Sequence, residues 1–185
     1  IGASAKPVPV PWKFPQSIDF NVSEGAATYD KHLYLPEETP FTANLNPWEN
    51  DVLREEMDNG AIAWLRNLDR ALAIPYEING STLPMYPDLL IVRMGDHGYV
   101  FDILEPHDAS RKDNYPKAVG LARFAEEHAH IYGRIELIRK QKAPDGKEHF
   151  FRLNIANVLV RKKVKAIHSN QELDQIFEEY AERED

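Results

Sequence analysis

Apolar side chains change their spacing several times along this chain, and each change marks an element. Trp48, Val52, Leu53 and Met57 recur at the intervals of a helix face. The run Asn46-Pro47-Trp48-Glu49 opens that helix: Asn46 suits the N-cap, Pro47 the first helical position and Glu49 the acid of a capping box. Asn59-Gly60 ends it. Residues 61–66 then read as a strand, and residues 72–78 as a shorter extended piece that Asn79-Gly80 turns into the next strand. Residues 86–94 and 99–104 are the clearest strands, with Gly95-Asp96-His97-Gly98 as a hairpin turn. A helix is expected over 116–130, with Ala118, Leu121, Ala122, Ala125 and Ala129 on one face. Residues 134–139 and 149–153 form a strand pair around Pro144-Asp145-Gly146. Residues 155–167 fit helix and strand equally. A last helix starts at Ser169, which makes a capping box with Glu172 and buries Leu173, Ile176, Phe177 and Tyr180. This order implies a mixed sheet with helices packed on its faces.

Ahead of these elements, residues 1–27 are rich in proline and read as an extended arm or linker, with Trp12, Phe14, Ile18 and Phe20 spaced to pin it to a surface. The chain has 185 residues, enough for one domain plus this arm. It begins Ile1-Gly2-Ala3-Ser4 without a methionine and ends on a charged helix, as expected of a piece cut from a larger protein. No apolar run approaches ~20 residues, so no membrane partner is expected. With no cysteine, disulfides and thiolate zinc sites are excluded, and a cytoplasmic setting is expected. The formal net charge of −8 argues against coating nucleic acid through bulk charge, though not against a local basic groove.

Two acids stand out in the hairpin: Asp88 after Pro87 at the start of one strand, and Asp102 inside the next. Magnesium takes oxygen ligands and usually only one or two protein carboxylates. Bound beside a phosphodiester, it polarises a phosphoryl oxygen and generates hydroxide at neutral pH. The pairing depends on register. A loop of Gly95-Asp96-His97 pairs Met94 with Gly98 and sets Asp88 opposite Leu104, on the same face as Asp102. A loop that also includes Gly98 sends the two acids to opposite faces unless a bulge intervenes. Each acid alone also fits a solvated strand end, but a buried unpaired Asp102 would be costly.

The order and spacing of short motifs carry a resemblance. Lys31-His32-Leu33-Tyr34, Trp48-Glu49, Trp64-Leu65-Arg66-Asn67, Ile74-Pro75-Tyr76 and Tyr86-Pro87-Asp88, followed by Lys117-Ala118 at a helix start, resemble the C-terminal nuclease domain of type III restriction enzyme Res subunits. They are also similar to related domains on bacterial DEAD/DEAH-type defence helicases. The resemblance spans roughly residues 28–130 and implies a restriction-endonuclease-like α/β fold over 28–185, of the PD-(D/E)xK superfamily. It further implies a hydrolase: an endonuclease of a restriction or antiviral defence system, using Mg2+ (or Mn2+), with DNA and a helicase/ATPase domain as partners. By the same resemblance Asp88 and Asp102 bind the metal, Glu49 assists it, and the Ile103 carbonyl is a further ligand. Glu49 equally serves as the cap of its own helix.

Leu104 departs from the family pattern, which places lysine there to orient water and neutralise developing charge. Three explanations stay open. Lys117 reaches the site from the following helix; or Glu105, His107 and Asp108 build a variant site, with His107 as metal ligand or general base; or cleavage is lost and a degenerate fold serves DNA binding or docking to the helicase. For nucleic-acid contact the densest basic run is Arg161, Lys162, Lys163 and Lys165, which also fits a solvated helix face.

Overall fold

The computed structural model describes residues 10–19, 24–35, 39–67 and 71–184. A six-stranded sheet forms the centre, in the order β10 (Glu182–Arg183), β9 (Glu148–Asn154), β8 (Ile135–Lys142), β7 (Gly98–Pro106), β6 (Leu89–Gly95) and β3 (Ala63–Arg66). Among these six strands β7 and β8 pair in parallel and the other neighbours antiparallel, and α2 (Asn114–His128) makes the crossover between β7 and β8, as a parallel connection requires. The sheet is therefore mixed and flanked by helices, the restriction-endonuclease-like α/β class expected from the sequence.

The two faces bury different partners. On one, Leu89, Ile91 and Leu104 pack under α1 (Pro47–Asp58) through Val52 and Leu53, with Trp64 and Phe41 alongside. Phe41 belongs to β2 (Phe41–Ala43), which pairs with β1 (Ala27–Tyr29). On the other, Leu90, Ile103, Leu137 and Leu153 pack under α2, α3 (Val158–Lys165) and α4 (Asn170–Tyr180). A hairpin of β4 (Ile74–Ile78) and β5 (Ser81–Met85) joins that second core, turning at Asn79-Gly80 with both residues at positive φ.

Local chemistry accounts for the boundaries. Asn46 and Glu49 complete the expected capping box, with Glu49 N–H donating to Asn46 Oδ1 at 2.9 Å. Ser169 accepts from Glu172 N–H at the start of α4. Residues 158–165 resolve as helix because Asn157 caps them, accepting from the N–H groups of Leu159 and Val160.

In the N-terminal stretch, the Trp12 side chain is buried and its backbone N–H donates to the Tyr132 hydroxyl at 2.9 Å. Ile18 packs on the core and Phe14 stands against Phe101, while Phe20 lies outside the described residues. Among the described residues no helix is long and apolar enough to cross a membrane.

Candidate active site

The β6–β7 hairpin decides which acids meet. Its loop is two residues, Asp96-His97, closed by a Gly95–Gly98 pair, and Gly98 holds φ +124°. Leu89 then pairs with Leu104, so Asp88 faces Glu105 one step beyond the ladder. The Asp88 N–H donates to Glu105 Oε2 at 3.1 Å. Asp102 instead pairs with Ile91, on the opposite face of the sheet. Met94 stands opposite Tyr99, the register that the longer loop through Gly98 would set, so the expectation that Asp88 and Asp102 share an ion fails.

Asp102 has a different occupation. It is fully buried and bound by two arginines. Arg93 holds it through Nε and Nη2; Arg134 holds it through its backbone N–H at 2.9 Å, Nε at 3.0 Å and Nη2 at 2.7 Å. Burial alone would raise its pKa, but the hydrogen bonds of Arg93 and Arg134 bring it below the usual carboxylate range. Arg134 continues to Glu56 on α1 at 2.7 Å, and Arg152 joins Glu56 at 2.8 Å and Glu136 at 3.0 Å. This is a charge network between α1 and the sheet, with no acid left over for a metal at Asp102. Ile103 sits within the ladder between β6 and β8 and takes no part in the cavity.

Asp88 and Glu105 open into a cavity of about 650 Å³ at the end of the sheet, where the first turns of α1 and α2 converge. Glu49, Lys117, Arg111, His107, Trp48 and Tyr86 also line it. The cavity thus gathers four sequence candidates, Glu49, Asp88, His107 and Lys117, beside Glu105 of the variant-site reading. Burial, followed by the negative charge of Glu49, pushes the Asp88 carboxyl up to about 7. Burial and then the Asp88 charge carry Glu105 well above its ordinary range. Arg66, Arg111 and Lys117 partly offset the first shift, and Lys117 the second. Among the described residues neither acid forms an ion pair with a basic side chain.

Glu49 is committed elsewhere. Its Oε2 accepts from the Asn46 N–H at 3.2 Å and its Oε1 from Arg66 Nη2 at 3.3 Å. It fixes the first turn of α1 and adds negative charge beside Asp88. Lys117 lies in an ion pair with Asp113 at 2.8 Å, one helical turn back, with its ammonium at the cavity.

His107 cannot serve as the base or ligand expected of it. Arg139 Nε, which can only donate, stands 2.9 Å from His107 Nε2, so Nε2 accepts and the neutral ring carries its hydrogen on Nδ1. Burial, then the Arg139 charge, lower its pKa to about 3. Arg139 itself is fully buried, stacks on Phe177 with its guanidinium carbon 4.1 Å from the ring centre, and reaches Asp174 on α4.

The basic run lies on α3, away from the cavity. Lys165 pairs with Glu126, Lys163 stands 5.0 Å over the Tyr180 ring, and Arg161 donates to the Ala156 carbonyl. Lys162 is exposed. The cations at the cavity are Arg111 and Lys117.

The sequence placed Glu105 in a variant site with His107 and Asp108, not as the metal-binding partner of Asp88. The available signal was Glu105-Pro106-His107, which keeps the acid-x-base spacing three residues downstream of Asp102. The donor set fits a divalent ion. Among the described residues no group of three or more histidine or acidic side chains surrounds one point, but magnesium usually takes one or two protein carboxylates. Asp88 and Glu105 are two partly buried acids whose mutual repulsion a cation would relieve.

Comparison with known proteins gives a family but no activity. No solved structure matches this chain. Protein YagJ of Escherichia coli (strain K12) is 34% identical over 116 residues, 60% of this chain and 48% of that protein, so the match spans about half of the relative's length. The model of the YagJ family matches residues 30–184, and the chain belongs to that family.

Proposed function

We propose that this domain hydrolyses phosphodiester bonds in DNA with Mg2+ or Mn2+, next to a helicase or ATPase of the same polypeptide or complex and in the cytoplasm where that DNA lies. The observation that carries the reading is the Asp88–Glu105 pair: the Asp88 backbone N–H donates to Glu105 Oε2 at 3.1 Å, and both carboxyls, raised in pKa, line a cavity edged by Lys117 and Arg111. The motif order that resembles restriction-type nucleases supports it, with Glu105 taking the place first given to Asp102.

Asp88 and Glu105 would hold the ion, and Pro106, not Ile103, follows the second acid and lines the cavity. When bound, such an ion polarises a phosphoryl oxygen and lowers the pKa of water. Lys117 supplies fixed positive charge where the phosphorane develops negative charge. Arg111 offers a planar donor set for a phosphate. Glu49 holds α1 in place and keeps Asp88 electrostatically hungry for a cation.

Supercoiled plasmid incubated with Mg2+ or Mn2+ tests this. Nicking is expected, with a loss on the order of 100-fold or more in Asp88→Asn and in Glu105→Gln. Full activity in either variant would sink the reading. One observation favours a second reading, a nuclease fold that binds DNA without cutting it: the lysine position counted from Glu105 holds a neutral His107 tied to Arg139. Retained DNA binding with no nicking in either metal would establish that reading instead.

A further inference from the structure

The cavity around Asp88 and Glu105 is walled by aromatic rings as well as by charge. Trp48 enters from the first turn of α1, Tyr76 from β4 and Tyr86 from the segment ahead of β6. Trp48 is half-buried, with Phe150 braced against it at 6.4 Å and nearly perpendicular. The Lys117 ammonium stands 5.8 Å from the Tyr76 ring centre. A volume of about 650 Å³ lies within the roughly 300–1,000 Å³ typical of clefts that enclose a small ligand, the size of one or two nucleotides. A DNA duplex instead presents grooves about 6–12 Å wide into which protein elements reach. Paired and stacked bases hide their faces, whereas unpaired bases lie against aromatic side chains, and a basic lining tracks the backbone.

We propose that the cavity takes unpaired nucleotides, so that the substrate is single-stranded DNA or a single-stranded segment of a longer DNA. Bases lie against Trp48 and Tyr86, and the backbone passes Arg111 and Lys117 towards the two carboxylates. The inference rests on the nuclease reading of the same site and adds its substrate class. It also gives the α1 capping box a purpose beyond helix stability. Asn46 and Arg66 hold Glu49 from both carboxylate oxygens, and Trp48 is the residue before it, so the ring is presented from a fixed turn.

The test is fluorescence anisotropy of a labelled oligothymidylate and of a fully paired duplex of equal length, titrated with the full chain in Ca2+. Tighter binding of the single strand is expected. Trp48→Ala and Tyr86→Ala should each weaken single-strand binding by about 5- to 150-fold, the range for loss of one stacked base, and leave duplex binding unchanged. Trp48→Phe keeps a ring in place and should retain most of the affinity, which guards against a misfolded alanine variant. Intrinsic emission gives an independent reading: Trp12 and Trp64 are buried, so quenching by the single strand reports Trp48 and should vanish in Trp48→Phe. Duplex binding as tight as single-strand binding, no binding of either, or an equal loss for both DNAs in the alanine variants would overturn the proposal. Cleavage is scored separately on the same DNAs. Single-strand binding of this kind without cleavage overturns the nuclease reading alone; preferential cutting of fully paired duplex overturns the single-strand proposal alone.

Discussion

Asp88 ties the stability of the molecule to pH and, on the proposed function, to divalent cations. Its folded pKa, about 7, lies above that of an unfolded aspartate, so the folded state binds the extra proton. The resulting destabilisation is absent below the unfolded pKa near 4 and fully present above about 7. Asp88→Asn should therefore stabilise the protein at pH 8, by on the order of 1–3 kcal/mol, and have little effect at pH 4. Melting curves at the two pH values check this. In the same measurement Mg2+ should raise the Tm of the parent at pH 8 and leave that of Asp88→Asn almost unmoved. Asp102 behaves in the opposite sense. Its folded pKa is depressed, so its contribution is present above the unfolded pKa and is lost as pH falls through the folded value. Asp102→Ala leaves Arg93 and Arg134 facing each other without their shared anion, and should cost about 3–5 kcal/mol by urea unfolding. Sequence spacing alone marked both residues as acids in unusual places. Their different fates depend on which arginines approach Asp102, and Arg134 lies 32 residues further along the chain.

The caps and turns were legible because their chemistry is local. Asn46, Ser169 and Asn79-Gly80 each act on residues within a few positions of themselves. Asn46→Ala should cost about 1 kcal/mol and loosen Glu49 with it, which denaturant titration would measure. Register was not legible, for a physical reason. Leu89, Leu90, Ile91 and Val92 are all buried, as are Ile103 and Leu104, since helices cover both faces. A strand buried on both sides shows no alternation of apolar and polar residues, so nothing in its pattern says which face an acid shares. Packing between elements makes a further prediction. A Cβ at Gly120 on α2 would lie 2.8 Å from the Pro75 carbonyl oxygen and 2.8 Å from Tyr76 Cβ. Gly120→Ala should push α2 off β4 and destabilise by about 1–3 kcal/mol, despite alanine's better helix propensity. Since Tyr76 and Lys117 line the cavity from these two elements, the variant should also weaken ligand binding.

At the scale of the whole molecule, distant parts of the chain are fastened to the sheet by single buried side chains. Trp12 docks the N-terminal stretch on Tyr132, and Arg139 docks α4 through Asp174 and Phe177. Trp12→Ala should cost about 3 kcal/mol and, if the stretch belongs to the same cooperative unit, leave one unfolding transition by both far-ultraviolet dichroism and tryptophan emission. A separate early transition would show instead that it folds apart from the sheet. Strand β7 lies between these attachments and carries Asp102 on one face and Glu105 on the other, three positions apart. If the proposed nuclease function holds, a mutational survey scored only by loss of activity would rank both acids as essential and read them as one catalytic pair. The survey becomes informative when the amount of folded protein is scored beside activity. Asp102 variants should then disappear from the soluble fraction, while Glu105 variants accumulate as intact, inert protein.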